Sequence, residues 1–181
     1  IGLFTHARKG YLRLAMGSFA ETAIHRSKLS LLIFNPKTKV MPKIKNILYA
    51  SDFSPASEKH LKTVIAYCKE LKSDLAVFHQ AEMIYKWSLD ETNPKIQAYR
   101  RKVDRMKTWI EQECHRAGIS GEVIVASEFR ATSDLIFATM KKKKIDLVVV
   151  SAKVGPMAAL MGGSITRQIV RGSEVPVLIL K

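Results

Sequence analysis

Apolar residues in this chain fall into short runs separated by segments of helical spacing. The runs at 44–50 (Ile44, Ile47, Leu48), 74–79 (Asp-Leu-Ala-Val-Phe-His), 122–126, 145–151 and 175–180 read as buried strands. Residues 28–34, from Lys28 to Phe34, read as a further strand, and 1–4 as the end of one. Between them, Leu61, Val64, Ile65, Cys68 and Leu71 recur at i, i+3, i+4, i+7. That spacing predicts an amphipathic helix over 56–72, opened by Ser54 as N-cap and Pro55 at the first helical position. Ile96, Tyr99, Val103, Met106, Ile110 and Cys114 mark a long helix over 94–117. Leu135, Ile136 and Met140 mark another over 131–142, and a last one is expected over 164–171 with Gly172 as its C-cap. Residues 80–93 show no period. Strands alternating with helices imply βαβ units and a parallel sheet covered on both faces. Ligands of such sheets bind beyond the C-terminal strand ends, where the strand order reverses. The loop at Asp52 and the loop 151–163 are therefore expected to face each other.

One stretch occurs twice. Gly17-Ser18 lies over Gly163-Ser164 at an offset of 164 − 18 = 146, which places residues 1–35 over 147–181 without a gap. Leu14/Leu160, Gly17/Gly163, Ser18/Ser164, Ser27/Ser173, Leu32/Leu178 and Ile33/Ile179 are identical. A repeat of domain-sized period predicts two tandem copies of one domain. Residues 1–35 would be the C-terminal remnant of the first, 36–42 a linker punctuated by Pro36, and 43–181 a complete second copy. The two final strands, Lys28 to Phe34 and Val175 to Leu180, are expected to pair, within one molecule or between two. Gly-Ser before a helix has two readings: backbone N–H groups and a hydroxyl that hold a phosphate oxygen, or a plain N-cap.

Composition narrows the picture without choosing a partner. The 181 residues are 47% hydrophobic, enough for a real core, and no apolar run reaches the roughly 20 residues of a membrane span. Ile1–Thr5 lacks the basic start of a signal peptide. The start inside a strand, without Met, leads us to expect a fragment or a processed product. Two cysteines, Cys68 and Cys114, without metal spacing fit a reducing cytoplasm and read as buried or surface filler, with a redox-active thiol as the alternative. The formal charge is +14: +6 from residues 1–42 (seven basic, one acidic) and +8 from 43–181 (23 basic, 15 acidic). This favours anionic partners. Nucleic acid is not the first choice, because no interleaved aromatics form a base-stacking surface. The basic run Lys141–Lys144 opposes a helix dipole, with a polyanion site as the alternative.

Asn46-Ile47-Leu48-Tyr49-Ala50-Ser51-Asp52-Phe53-Ser54 resembles the opening "ILxxxDFS" of the universal stress protein family. Leu75–His79, Asp146–Val150 and Gly163-Ser164 leading to Val175–Ile179 extend the resemblance, and residues 1–35 are similar to the end of a preceding family domain. The resemblance implies a doubly wound α/β fold of Rossmann type, with a five-stranded parallel sheet of order 3-2-1-4-5 and a partial copy at the N-terminus. It implies dimerisation through the final strands. In the nucleotide-binding branch it implies ATP, with Mg²⁺. Carried across, the aspartate near the adenosine is Asp52, the residue touching adenine is Gln80, and Gly163-Ser164 end the phosphate loop. With their neighbours, the expected site is Ala50, Ser51, Asp52, Gln80, Lys153, Gly163, Ser164, Ile165 and Thr166. The loop's two earlier glycines are replaced by Val150 and Lys153 here, and by Phe4 and Ala7 in the partial copy. Val150 is expected to put a branched side chain in the ligand's path, while Lys153 could supply charge.

Each residue has a plainer role to set beside this. Asp52 can bond loop N–H groups ahead of Ser54. His79 suits a core histidine, and Thr166 a first-turn helix residue. With no nucleophile–base or metal constellation, the expected function is a non-enzymatic, cytoplasmic stress-response domain. It would act through self-association, with or without nucleotide. A slow ATP hydrolase using Asp52, Lys153 and Ser164 is the alternative, or a basic nucleic-acid-binding module.

Overall fold

The computed structural model of the protein describes residues 1–4, 22–24, 26–39, 42–81, 92–151 and 164–181. Seven strands form one sheet: β1 (Gly2–Phe4), β2 (Leu31–Phe34), β3 (Asn46–Ala50), β4 (Asp74–Gln80), β5 (Gly121–Ala126), β6 (Leu147–Ser151) and β7 (Val177–Leu180). Their order is β1-β2-β7-β6-β3-β4-β5. The five-stranded sheet expected for this chain is therefore part of a seven-stranded one, because β2 continues hydrogen bonding past β7 instead of leaving an edge. All pairs are parallel except β2 with β7.

Among the described residues the helices are α1 (Pro55–Leu71), α2 (Pro94–Ala117), α3 (Thr132–Lys142) and α4 (Ser164–Gly172), and residues 22–24 and 26 are helical ahead of β2. The period-2 strands send alternate residues to two cores. Leu48, Phe78, Val148, Val150, Val177 and Ile179 meet Leu135, Ile136, Met140, Ile169 and Val170 of α3 and α4 on one face. Ile47, Tyr49, Val77 and Val149 meet Leu61, Val64, Cys68, Val103 and Ile110 of α1 and α2 on the other. The stripes read from sequence thus become the two buried helix faces. Burial pushes the Cys68 thiol up to about 12 and the Cys114 thiol up to about 11, so neither is a thiolate at neutral pH.

Three expectations are corrected. Gly172 is the last residue of α4 and not a left-handed cap; Gly118, at φ 72°, is the described glycine in that conformation. A Cβ at Gly172 would meet the tip of the Phe137 ring at 2.5 Å, so any larger residue has to displace that ring. Strands β2 and β7 start later than read. Ser27 Oγ donates to Leu29 O and accepts from Leu29 N–H, and Ser173 does the same with Val175, which holds both approaches in turns.

The gap-free offset of 146 holds for β2 against β7 and fails for β1 against β6. Leu32 lies opposite Leu178, with Leu31 opposite Ile179 and Ile33 opposite Val177. This is the register of a local two-fold axis through Leu32 and Leu178. Beyond it, Gly2 pairs with Leu32, whereas the offset partner of Gly2, Val148, pairs with Val177 and not Leu178. β1 is shifted by one residue. A one-residue shift turns every side chain to the other face, and Leu3 accordingly packs in the α3/α4-side core while its offset partner Val149 packs in the opposite one. In structural terms Leu3, and not Phe4, corresponds to Val150.

Candidate functional site

Strands β3 and β6 are neighbours, so the order reverses between them and their C-terminal ends adjoin. The loop leaving β3 is built tightly. Ser51 Oγ accepts the Phe53 N–H at 3.1 Å, and Asp52 Oδ1 accepts the Ser54 N–H at 3.0 Å. Ser54 Oγ then accepts the Ser57 N–H at 3.3 Å, capping α1, with Pro55 at its first turn. Phe53 has φ 53°, an unusual conformation for a bulky residue that costs about 1–3 kcal/mol. It is held there by burial and by a stacked contact with His79 at 4.1 Å and 15°. The result presents Asp52 outward on a rigid loop while Ser51 turns inward.

His79 is the core histidine that the sequence implied. It is 3% exposed; its Nδ1 lies 2.9 Å from Ser51 O and its Nε2 lies 2.7 Å from Tyr99 Oη. A carbonyl only accepts, so Nδ1 carries the proton. His79 thereby fastens the β3 loop to α2.

A hydroxyl cluster not foreseen from the sequence lies beneath the loop. Tyr49 Oη is 2.9 Å from Ser57 O, 2.9 Å from Ser57 Oγ and 2.7 Å from Ser151 Oγ. Ser51 Oγ is 2.8 Å from Ser57 Oγ, and His60 Nδ1 is 2.8 Å from Ser151 Oγ. Counting protons sets the directions. Tyr49 must donate to the Ser57 carbonyl, so both serine hydroxyls donate to Tyr49. Ser51 then donates to Ser57, and His60 Nδ1–H donates to Ser151. Ser151 is therefore not a nucleophile primed by His60: its proton points to Tyr49. Burial pushes the Tyr49 phenol up, which keeps it protonated and the cluster intact. The sequence could show Ser51, Ser57 and His60 at one end of α1. It could not show Ser151, which lies 102 residues beyond Tyr49.

The other expected residues divide. Ala50 ends β3, Ser51 and Asp52 follow it in the loop, and Gln80 ends the neighbouring β4. Gln80 is tied down: Thr132 Oγ1 donates to its Oε1, and its Nε2 donates to Arg130 O at 3.4 Å. Its amide clamps the approach to α3. Ser164 begins α4, with Ile165 exposed and Thr166 half-buried in the first turn. The Val150 side chain is 4% exposed and packs inside the α3/α4-side core. Lys153, Gly163 and the Ser164 side chain lie outside the described residues. So do Ala7, Leu14, Gly17, Ser18 and most of 80–93. Among the described residues no group of three His, Cys, Asp or Glu could hold a metal ion. No described helix is long and apolar enough to cross a membrane.

Comparison with known proteins places this geometry. The sequence model of the universal stress protein family matches residues 43–181. No curated protein sequence matches the chain. Among solved structures, a universal stress protein from Archaeoglobus fulgidus DSM 4304 is 20% identical, with a TM-score of 0.70 over 99% of this chain. This chain spans 59% of that one's length. A universal stress protein from Archaeoglobus fulgidus in complex with dAMP is 14% identical, with a TM-score of 0.53 over 78% of this chain and 100% of its own. A universal stress protein in complex with cAMP is 17% identical, with a TM-score of 0.52 over 76% of this chain and 97% of its own. The chain belongs to the universal stress protein family.

Proposed function

We propose that this chain is a non-enzymatic stress-response regulatory domain that binds an adenine nucleotide at the C-terminal ends of β3, β4 and β6. The observation that carries the reading is the strained Phe53 loop: a bulky residue held at positive φ beside the strand-order reversal, with Asp52 presented outward. Strain of this kind persists where the surroundings enforce it, and it collects at ligand sites. Two relatives of the same fold were solved with dAMP and with cAMP. On this reading Asp52 meets the ribose. The first-turn N–H groups of α4 meet phosphate, together with Ser164, Gly163 and Lys153. Burial of Val150 removes the obstruction expected of it. Mg²⁺ would be held by the phosphates, since Asp52 has no second carboxylate beside it in the β3 loop. A bound nucleotide would supply phosphate charge; the protein's part is to orient it.

Residues 1–35 are read as the remnant of a first domain of the same type. The two-fold register of β2 and β7 supports this, and so do the matched turns at Ser27 and Ser173. Their strands pair within one chain. Self-association through them would therefore require one molecule to lend residues 1–35 to another.

The test is calorimetric titration of the whole chain with ATP, dAMP and cAMP. Binding that weakens at least tenfold in Asp52→Ala is expected. Absence of binding at millimolar nucleotide would refute the reading. So would ATP turnover abolished by Asp52→Ala, which would make the protein an enzyme.

A further inference from the structure

The sheet edge opposite Asp52 is where the helices end and the strands begin, and there the chain gathers exposed lysines. Lys144 precedes β6, Lys45 precedes β3, and Lys72 precedes β4. Hydrogen bonds hold the three segments side by side. Asn46 Nδ2 donates to Lys144 O at 3.2 Å, the Asp74 N–H donates to Lys45 O at 2.7 Å, and Ser73 Oγ donates to Ile44 O at 2.6 Å. With strands ~4.8 Å apart, the three backbones span about 10 Å. On the far side of β6 the row continues to Lys141 and Lys37. Both lie close enough to Glu174 to help Lys39 hold its carboxyl below the usual range.

Of the nearby carboxylates, Asp74 stands exposed beside Lys72 and Lys45, and two others are engaged. Asp146 Oδ2 accepts the N–H groups of Lys45 and Asn46 at 2.8 and 3.0 Å, and Glu174 is paired with Lys39. Lys37, Lys45, Lys72, Lys141 and Lys144 make no ion pair among the described residues. A second observation is conformational. Lys72 has φ 54° and Lys144 φ 50°, the left-handed region where a helix end ordinarily uses glycine, as α2 does with Gly118. Helix dipoles account for a lysine near a helix end. They do not account for lysine occupying the strained position itself, twice in one row.

We propose that this row is a docking surface for the phosphodiester backbone of nucleic acid, bound without sequence preference. The row offers point charges that match phosphates. Its members are lysines, which lack a planar fork, and the aromatic rings on this side, Tyr67 and the Phe4–Phe34 stack, stand at its flanks and not between the lysines. A lipid surface fits less well: the large exposed apolar side chains on this side among the described residues are Tyr67 and Leu71 near the end of α1 and Phe4 at the end of β1, split between opposite flanks of the row with β2, β7 and β6 between them. They do not make the apolar face that membrane-surface binding uses. The surface lies at the opposite sheet edge from the nucleotide site and does not depend on it.

The experiment is fluorescence anisotropy of a labelled duplex of arbitrary sequence, titrated with the whole chain from about 50 to 200 mM salt. Binding should weaken steeply, by about 0.9 logarithmic units per phosphate contact for each tenfold rise in salt. Lys72→Gly with Lys144→Gly relieves left-handed strain while removing two charges. Melting should hold or rise, affinity should fall at least tenfold at 50 mM salt, and the salt slope should shrink by about 1.8. Lys45→Gln with Lys141→Gln, which leaves those backbone positions alone, should show the same loss. The proposal is overturned if the unaltered chain does not bind duplex at 50 mM salt. Equal affinity and slope in both double variants would also overturn it. So would binding to phosphatidylserine-containing vesicles without binding to duplex.

Discussion

The helix-turn-strand ending at Phe34 and the one ending at Leu180 perform the same tasks with different chemistry. In each, a serine N–H reaches back four residues, Ser27 to Ala23 O and Ser173 to Ile169 O, both at 2.9 Å. In each, the residue after the strand caps the other end's helix. Asn35 Nδ2 donates to Val170 O at 2.7 Å and to Ser173 O at 2.8 Å, while Lys181 Nζ donates to Ile24 O. Ile24 and Val170 are partners at the offset of 146, and so are Asn35 and Lys181. One cap is a buried neutral amide; the other is a half-buried cation. What the comparison teaches is that matched positions in strand pairing and helix capping can be served by different residue types.

The comparison can be broken at its centre. Ile33 and Ile179 are 1% and 0% exposed, in the same core. Ile33→Ala and Ile179→Ala should each lower stability by about 2–5 kcal/mol in urea unfolding. A small loss for Ile33→Ala alone would mean that residues 1–35 come away from the sheet without unfolding the rest. Next in size is the buried cap. Asn35→Ala leaves two carbonyls unpaired and should cost about 1–3 kcal/mol, more than Lys181→Ala, as thermal melts would show. The serine turns come third: Ser173→Ala should cost about 1 kcal/mol and Ser27→Ala less, since Ser173 is fully buried and Ser27 is not.

The smallest effect separates the caps by pH. Burial holds the Lys181 pKa below its ordinary value, whereas Asn35 does not titrate. The unfolded chain then binds more protons than the folded one between the depressed and the ordinary lysine pKa. Stability should rise with pH across that window. Below it the penalty is fully present and constant. The rise should disappear in Lys181→Met, measured by melting between neutral and alkaline pH.

Strand and helix periods were legible because the sheet is covered on both sides by amphipathic helices, and the β3 loop because Ser54 and Pro55 carry local capping chemistry. The slip of β1 was not legible: Gly2-Leu3-Phe4 is too short for its apolar pattern to distinguish one register from the next. Gly172 reads as a cap by position, and only its backbone, still helical at the end of α4, shows otherwise. Val150 was placed in its strand, whereas Gln80, read as the residue after the second strand, is the last residue of β4. What they touch depends on α3 and α4, which local spacing does not reveal. The hydroxyl cluster needs Ser151 brought beside Tyr49, a consequence of strand order alone.

The axis through Leu32 and Leu178 has an evolutionary side. In an assembly of two identical chains, every substitution appears on both sides of such an axis at once, so a change must be tolerable twice. Here both sides are written in one chain and can drift separately. That freedom lets an amide and an ammonium share one task. A later change on either side can likewise be accepted without being mirrored on the other.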